Sequence, residues 1–235
     1  MKFSDMTYTR PDLEAAKAAI SAHTDALKGA ESYEEARAAF LKMQELHSHL
    51  YTADTLAYVR HTIDTRDAYY DEEARFLAEH LPLLREAQQE FQKALLSSPF
   101  RPDFEAEYGG LFLRNMELEL KTFIPAIVPL MQRENALTLD YGKLIASAQI
   151  PFEGGVYTLS QLTPFKQDPD DARRRAAWEA EGRFYLEHGE ELDALYDELV
   201  QVRTRQAREM GYDNYVELGY YRMGRNCYTK EDVEK

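Results

Sequence analysis

Apolar residues return every three or four positions along most of this sequence, and this spacing constrains the fold more than any other feature. Glycines and prolines fall near the ends of the periodic stretches, where they interrupt helices least. With 235 residues, 44% of them hydrophobic, the chain can bury a sizeable core. The pattern predicts a mainly α fold, and the absence of a fixed repeat makes it an irregular multi-helix array.

The first two helices are marked by residues that begin and end helices. Pro11 suits a first helical turn and Gly29 suits a stop, so one helix is predicted over residues 11–28. Ser32 and Glu35 have the spacing of a capping box, which predicts a second helix starting at Ser32. Both segments carry an apolar stripe, so we expect them to pack as an antiparallel helical hairpin.

Residues 55–96 are predicted to be almost continuously helical, with a kink or break at Pro82, because a proline inside a helix removes a hydrogen bond. A further helical stretch over residues 114–134 is disturbed by Pro125 and Pro129. The inward positions predicted for the longer stretch are Leu56, Val59, Ile63, Tyr70, Phe76, Leu77, Leu84, Phe91 and Leu95.

The pattern changes near residues 148–159, where two short segments flank Glu153-Gly154-Gly155. Glycine permits the backbone angles of a tight turn, so this region predicts one short β-hairpin. Asp168-Pro169 then predicts the N-cap and first turn of a helix to about His188. The following helix is predicted to end at Gly211.

A helix-start signal also lies close to the end of the sequence. Thr229 and Asp232 have the spacing of a capping box, yet few residues follow them. An isolated helix needs roughly 12 residues to be marginally stable. We therefore expect this sequence to be part of a longer protein, with its reactive centre elsewhere.

The charge balance argues against several partner classes. The 42 acidic residues outnumber the 28 basic ones, and this opposes attraction to nucleic acid or to anionic lipid. No apolar run approaches the ~18 residues of a membrane span. The one basic cluster, Arg173-Arg174-Arg175, predicts a solvated helix face with salt bridges. Cys227 is the single cysteine, and no signal-peptide segment is evident, so we expect a cytoplasmic protein.

Histidine is the first residue to consider for metal or acid-base chemistry. No histidine pair has the His-Glu-x-x-His spacing of a zinc peptidase or the Glu-x-x-His pairs of a di-metal bundle. His47 and His49 point about 200° apart on a helix and cannot share a metal. We expect exposed or half-buried helical histidines. The six are His23, His47, His49, His61, His80 and His188.

Other catalytic patterns are also missing. Cys227 has no defined partner, and Gly109-Gly110 and Gly154-Gly155 lack the context of phosphate-binding loops, so they are interpreted as turns. The 16 tyrosines and 11 phenylalanines are expected mainly in the core, with a peptide groove as the alternative. No catalytic, cofactor-binding or metal-ligating residue is therefore assigned. A structural ion-pair network is predicted around Arg60, Asp64, Arg66 and Asp67.

Seven short strings, taken in order, resemble oligoendopeptidase F and its relatives, zinc metallopeptidases of the thimet oligopeptidase group. Their order and spacing carry a resemblance that runs through most of the chain. The strings are RHTIDT at 60–65, YYDEE at 69–73, KTF at 121–123, LIASAQI at 144–150, LSQLTPF at 159–165, MGYDNY at 210–215 and GYYRM at 219–223.

This resemblance implies a helical shell around a channel in which short peptides reach a buried zinc ion. It implies an amino-terminal helical lobe over residues 1–167, hairpin included, and the start of a catalytic domain over residues 168–235. The zinc ligands would belong to a carboxy-terminal catalytic half of the same polypeptide, so this segment is expected to bind no zinc and to be inactive alone. The alternative is a self-contained helical module that binds a peptide or protein without catalysis.

Overall fold

Helices dominate the computed structural model, which describes residues 3–235 and is 76% helical. One antiparallel hairpin accompanies them, so the predicted mainly α fold with a single short hairpin is confirmed. No helix among the described residues is long and apolar enough to cross a membrane. The helices are α1 Leu13–Lys28, α2 Tyr33–Ile63, α3 Ala68–His80, α4 Arg85–Leu96, α5 Arg101–Tyr108, α6 Gly110–Leu120, α7 Val128–Ala146, α8 Leu159–Leu162, α9 Asp171–Glu187, α10 Gly189–Glu209, α11 Tyr215–Arg222 and α12 Lys230–Val233, and the strands are β1 Ile150–Phe152 and β2 Gly155–Tyr157.

The first two helices form the expected hairpin, and local side chains fix their ends. The Asp12 carboxylate accepts a hydrogen bond from the Ala15 N–H at 2.9 Å, which places the start of α1 after Pro11. The Ser32 hydroxyl accepts from the Glu35 N–H at 3.2 Å and begins α2. Gly29 ends α1, as predicted.

The predicted continuous helix over residues 55–96 is wrong at one place. The chain breaks after Ile63, because Asp67 caps α3 by accepting hydrogen bonds from the backbone N–H groups of Tyr69 and Tyr70. Ile63, predicted to point inward, is 71% exposed at this end. The break at Pro82 is confirmed, since a 3₁₀ turn over Leu81–Leu84 separates α3 from α4.

The stretch predicted over residues 114–134 is also divided. Pro125 begins a 3₁₀ turn, and Pro129 lies in the first turn of α7. A proline at a helix start has no intrahelical hydrogen bond to lose, so both prolines mark beginnings here.

The hairpin pairs Ile150 with Tyr157 and turns through Glu153 and Gly154, both at positive φ. Its inner face packs on α8 and α9. The N-cap predicted at Asp168 is wrong: Asp170 caps α9, and Asp168 instead accepts a hydrogen bond from the Asp170 N–H at 2.9 Å.

The next helix, α10, ends at Glu209, two residues before the predicted Gly211 stop. Near the end of the sequence, the Thr229 capping box is present at the start of α12.

Phe104 lies at the centre of the largest core cluster, which joins α1, α2, α4, α5 and α6. Its fully buried ring packs edge-on against Tyr33 and Phe40, with centroids 5.1 and 5.5 Å away. The phenylalanines of this cluster agree with the expected core packing, but the tyrosines do not, because Tyr8 is the one buried tyrosine in the described part of the chain.

The division into residues 1–167 and 168–235 stays a prediction. One hydrophobic cluster contains residues from both sides of it, because the hairpin packs on α9. Its members are Ala148, Ile150, Phe152, Leu162, Ala177, Ala180 and Phe184.

Candidate functional site

Five of the six histidines are exposed or half-buried, as predicted, but His61 is 2% exposed. Its Nδ1 atom has no hydrogen-bond partner in the part of the chain that the structure describes, and it lies 3.6 Å from Oδ1 of Asp71. Lys143 and Arg75 also pair with Asp71, and they place positive charge beside the ring. Burial lowers the pKa of His61, and both basic groups act in the same direction against the attraction of Asp71.

The free energy of unfolding is therefore expected to fall as pH decreases below about 6.5. An unfolded histidine takes up a proton near that pH, whereas folded His61 does so only at lower pH. The unfolded state then binds more protons between the two pKa values, and stability is lost across that window. Urea unfolding measured stepwise from about pH 7 downward checks this.

The variant His61→Gln should lose this part of the pH dependence, because glutamine does not titrate. His49→Gln, at an exposed position of α2, is the matched control and should keep it. An unchanged pH profile in His61→Gln would contradict the assignment.

The charged residues selected from the sequence have local partners. Arg173 pairs with Glu153 and Asp168, which confirms the salt-bridged face predicted for the basic cluster. The predicted network at Arg60, Asp64, Arg66 and Asp67 is wrong as a unit. Asp64 pairs with Arg66, Asp67 caps a helix, and Arg60 donates to the Tyr70 hydroxyl and to the Met6 carbonyl oxygen.

No histidine, cysteine, aspartate or glutamate group in residues 3–235 is arranged to hold a metal ion. Cys227 is exposed. The described residues therefore do not fit a zinc site.

A buried polar cluster joins α7, α10 and α11 instead. Glu134 accepts hydrogen bonds from Arg203 at 2.7 Å, from Arg222 at 2.8 Å and from Gln206 at 2.9 Å. The Glu134 side chain is 12% exposed. Burial raises its pKa, but the two arginines outweigh this and hold it below the ordinary value. The cluster fixes α11 against the rest of the chain.

A cavity of about 640 Å³ lies between α7 and α10, but its charged groups are already paired. Arg133 pairs with Glu198, Asp140 pairs with Arg75, and Lys143 pairs with Asp71. A second cavity, of about 630 Å³, lies beside α11 and is lined by tyrosines such as Tyr220 and Tyr228. Paired charges have little binding capacity left, so the first cavity is a poor ligand site.

Two adjoining cavities of about 430 and 270 Å³ share His47, Arg85 and Gln88 in their walls, and we call them together the central groove. The larger is walled by α2, α4, α6 and α11, and the smaller by α2, α4, α7 and the Leu81–Leu84 turn. The amides of Gln44 and Gln88 face it without a hydrogen bond in the described part of the chain. Free amides beside apolar walls suit the backbone of an extended peptide.

Two unpaired charges also line the central groove. Arg85 is half-buried and, among the described arginines that are not exposed, is the only one without a hydrogen bond, an ion pair or a ring contact. Asp54 is likewise half-buried and has no hydrogen bond or ion pair with the other described residues, and burial raises its pKa. Neither residue was selected from the sequence, because each lies inside a helix and no motif surrounds it.

Comparison with known proteins gives a consistent family. Residues 3–123 match the model of the peptidase M3 N-terminal domain. No curated protein matches the chain.

Three solved structures superpose on essentially the whole chain. One is described as an oligoendopeptidase F, with TM-score 0.92 and 43% identity over 100% of this chain and 41% of that one. PZ peptidase A with an inhibitor gives TM-score 0.91 and 42% identity, covering 99% of this chain and 42% of that one. A protein from Bacillus anthracis str. Ames, also described as an oligoendopeptidase F, gives TM-score 0.92 and 40% identity, covering 100% and 43%.

The chain thus spans less than half the length of each of these peptidases. The matched family model covers about half of the chain itself. The chain belongs to the M3 peptidase family and contains the N-terminal domain of an M3 oligoendopeptidase.

Proposed function

We propose that this chain is the amino-terminal segment of a zinc-dependent oligopeptidase that cleaves internal bonds of short peptides inside a closed channel. The observation that supports this is its similarity, at 40–43% identity over essentially the whole chain, to three solved peptidase chains. In this proposal the catalytic half of the same polypeptide supplies the zinc ligands. The cytoplasm is the proposed compartment.

The central groove gives this segment a role beyond support. Its walls combine apolar side chains, such as Phe91 and Met116, with the free amides of Gln44 and Gln88. Such a surface can hold an extended peptide through its backbone while excluding water from it. We propose that the groove forms one wall of the channel, and that the channel admits short peptides and keeps folded proteins out.

The test is to measure zinc content and cleavage in the full-length protein and in residues 1–235 alone. The full-length protein is expected to contain stoichiometric zinc and to cleave an internally quenched short peptide, but not a folded protein. Residues 1–235 are expected to hold no stoichiometric zinc and to cleave nothing, because the described residues offer no ligand set.

Tightly bound zinc with turnover in residues 1–235 would contradict the division of labour. A full-length protein that binds peptides without cleaving them would instead support the binding-module alternative.

A further inference from the structure

We propose that Arg85 in the central groove binds a carboxylate group of a peptide, and so makes this segment a specificity element of the site. The inference takes its substrate class, short peptides, from the proposed function. It adds a residue and a chemical group that the peptide must carry.

The first argument is the unusual state of Arg85. Arginine carries five N–H donors and is always charged, so a half-buried guanidinium ordinarily has acceptors around it. The other arginines in the interior of the described chain follow this rule: Arg203 and Arg222 bind Glu134, and Arg60 binds Tyr70 and Met6. Arg85 has no such acceptor among residues 3–235.

The second argument is the charge around Arg85 in the larger cavity. Burial lowers the pKa of Arg85, the nearby carboxylate of Glu119 opposes this, and Arg222, which lines the same wall, lowers the pKa further. Glu119 is the one acidic residue lining this cavity, and its carboxylate already accepts a hydrogen bond from Gln92. Glu119 attracts Arg85 but forms no ion pair with it, so the Arg85 guanidinium and the amides of Gln44 and Gln88 remain donors without an acceptor among the described residues, which is the complement of a carboxylate.

The third argument is selectivity within a strongly acidic chain, whose formal net charge is −14. Most of this surface repels a carboxylate, so a guanidinium in a groove is a distinct binding site for that group. Asp54 lies in the smaller cavity beside Arg85 but forms no ion pair with it. Its negative charge opposes a carboxylate there, which favours the larger cavity for the carboxylate.

Two sources can supply the group, namely the carboxy terminus of the peptide or an aspartate or glutamate side chain. Both present two oxygens to the guanidinium fork in the same way. The probes must therefore separate them.

The experiment measures binding of three labelled peptides to the full-length protein by fluorescence anisotropy, with a metal chelator present so that no probe is cleaved. The first peptide has a free carboxy terminus, the second is its carboxy-terminal amide, and the third is the amide with one internal glutamate. The wild type is expected to bind the free acid about tenfold more tightly than the plain amide. Tight binding of the glutamate amide would identify a side-chain carboxylate as the ligand.

Substitutions at two groove positions should then act in opposite directions. Arg85→Gln is expected to abolish the preference for a carboxylate and leave the plain amide unchanged, whereas Arg85→Lys retains part of it because the charge remains. Asp54→Asn is expected to strengthen carboxylate binding about twofold, since a repelling charge is removed. Arg183→Gln is the matched control and should change nothing, because Arg183 is an exposed residue of α9 that has no partner within residues 3–235.

Equal binding of all three peptides by the wild type, or equal weakening of all three by Arg85→Gln, would overturn the proposal. A purely structural role of Arg85 predicts equal weakening of all three peptides, and a far-UV circular dichroism spectrum of each variant identifies misfolding.

Peptide cleavage is measured in a separate experiment without chelator. Carboxylate-selective binding without cleavage would reject the proposed peptidase function while leaving this inference standing.

Discussion

Replacing Phe104 by alanine is expected to lower the free energy of unfolding by about 4 kcal/mol. The ring is fully buried and sits where α2, α5 and α6 meet, in contact with Tyr33, Phe40 and Tyr108. Removing it takes away its transfer free energy and leaves a cavity lined by rigid rings that cannot collapse into it. Urea unfolding followed by far-UV circular dichroism measures the loss.

A graded series separates this packing effect from a general loss of aromatic content. Phe104→Leu should cost less than the alanine variant, because leucine fills most of the volume. Tyr51→Ala removes a ring that is 65% exposed and should change the free energy of unfolding by less than about 0.5 kcal/mol. If Phe104→Ala were as mild as Tyr51→Ala, the ring could not be the centre of the core.

Features set by neighbouring residues were predictable from the sequence. The Ser32–Glu35 box, the break at Pro82 and the hairpin turn at Glu153 and Gly154 all depend on three or four adjacent positions. The break before α3 was missed even though Asp67 is a good N-cap residue. Apolar residues continue at helical spacing across the break, so the periodic pattern hides the cap signal in the sequence.

Features set by contacts between distant residues were not predictable. Glu134 and Arg222 are 88 positions apart, and Tyr8 and Glu73 are 65 apart. A single sequence gives no signal that such residues meet, because any exposed helical charge has the same local pattern. His61 was expected on a helix surface for the same reason. Only the packing of α2 against α3 and α7 buries it.

The central groove contains residues of both kinds, one with a signal in the sequence and two without. Arg222 belongs to one of the strings that carry the family resemblance, so the sequence alone gives a signal at this position. Arg85 and Asp54 lie on α4 and α2 in ordinary polar positions, and only the tertiary arrangement shows that neither forms a hydrogen bond or an ion pair within the described chain. An unpaired half-buried charge is a property of the fold.

Glu134→Ala is expected to lower the free energy of unfolding by about 3 kcal/mol, the second large effect. The carboxylate holds Arg203, Arg222 and Gln206 together where α7, α10 and α11 meet. Its removal leaves the guanidinium of Arg222, whose side chain is 21% exposed, without a counter-charge. Unpaired charges away from water are costly. Hydrogen exchange of the α11 amides in the full-length protein measures the loss where it should be greatest.

Glu198→Ala is the matched control, because Glu198 also accepts from an arginine, at 2.6 Å, but across an exposed surface. Solvent screens that pair, so its removal should cost less than about 1 kcal/mol. Glu134→Gln should fall between the two, since the amide oxygen still accepts one hydrogen bond but the negative charge is gone. Equal effects of Glu134→Ala and Glu198→Ala would mean that water reaches the cluster freely. In that case Arg222 would be held in the groove wall by packing rather than by Glu134.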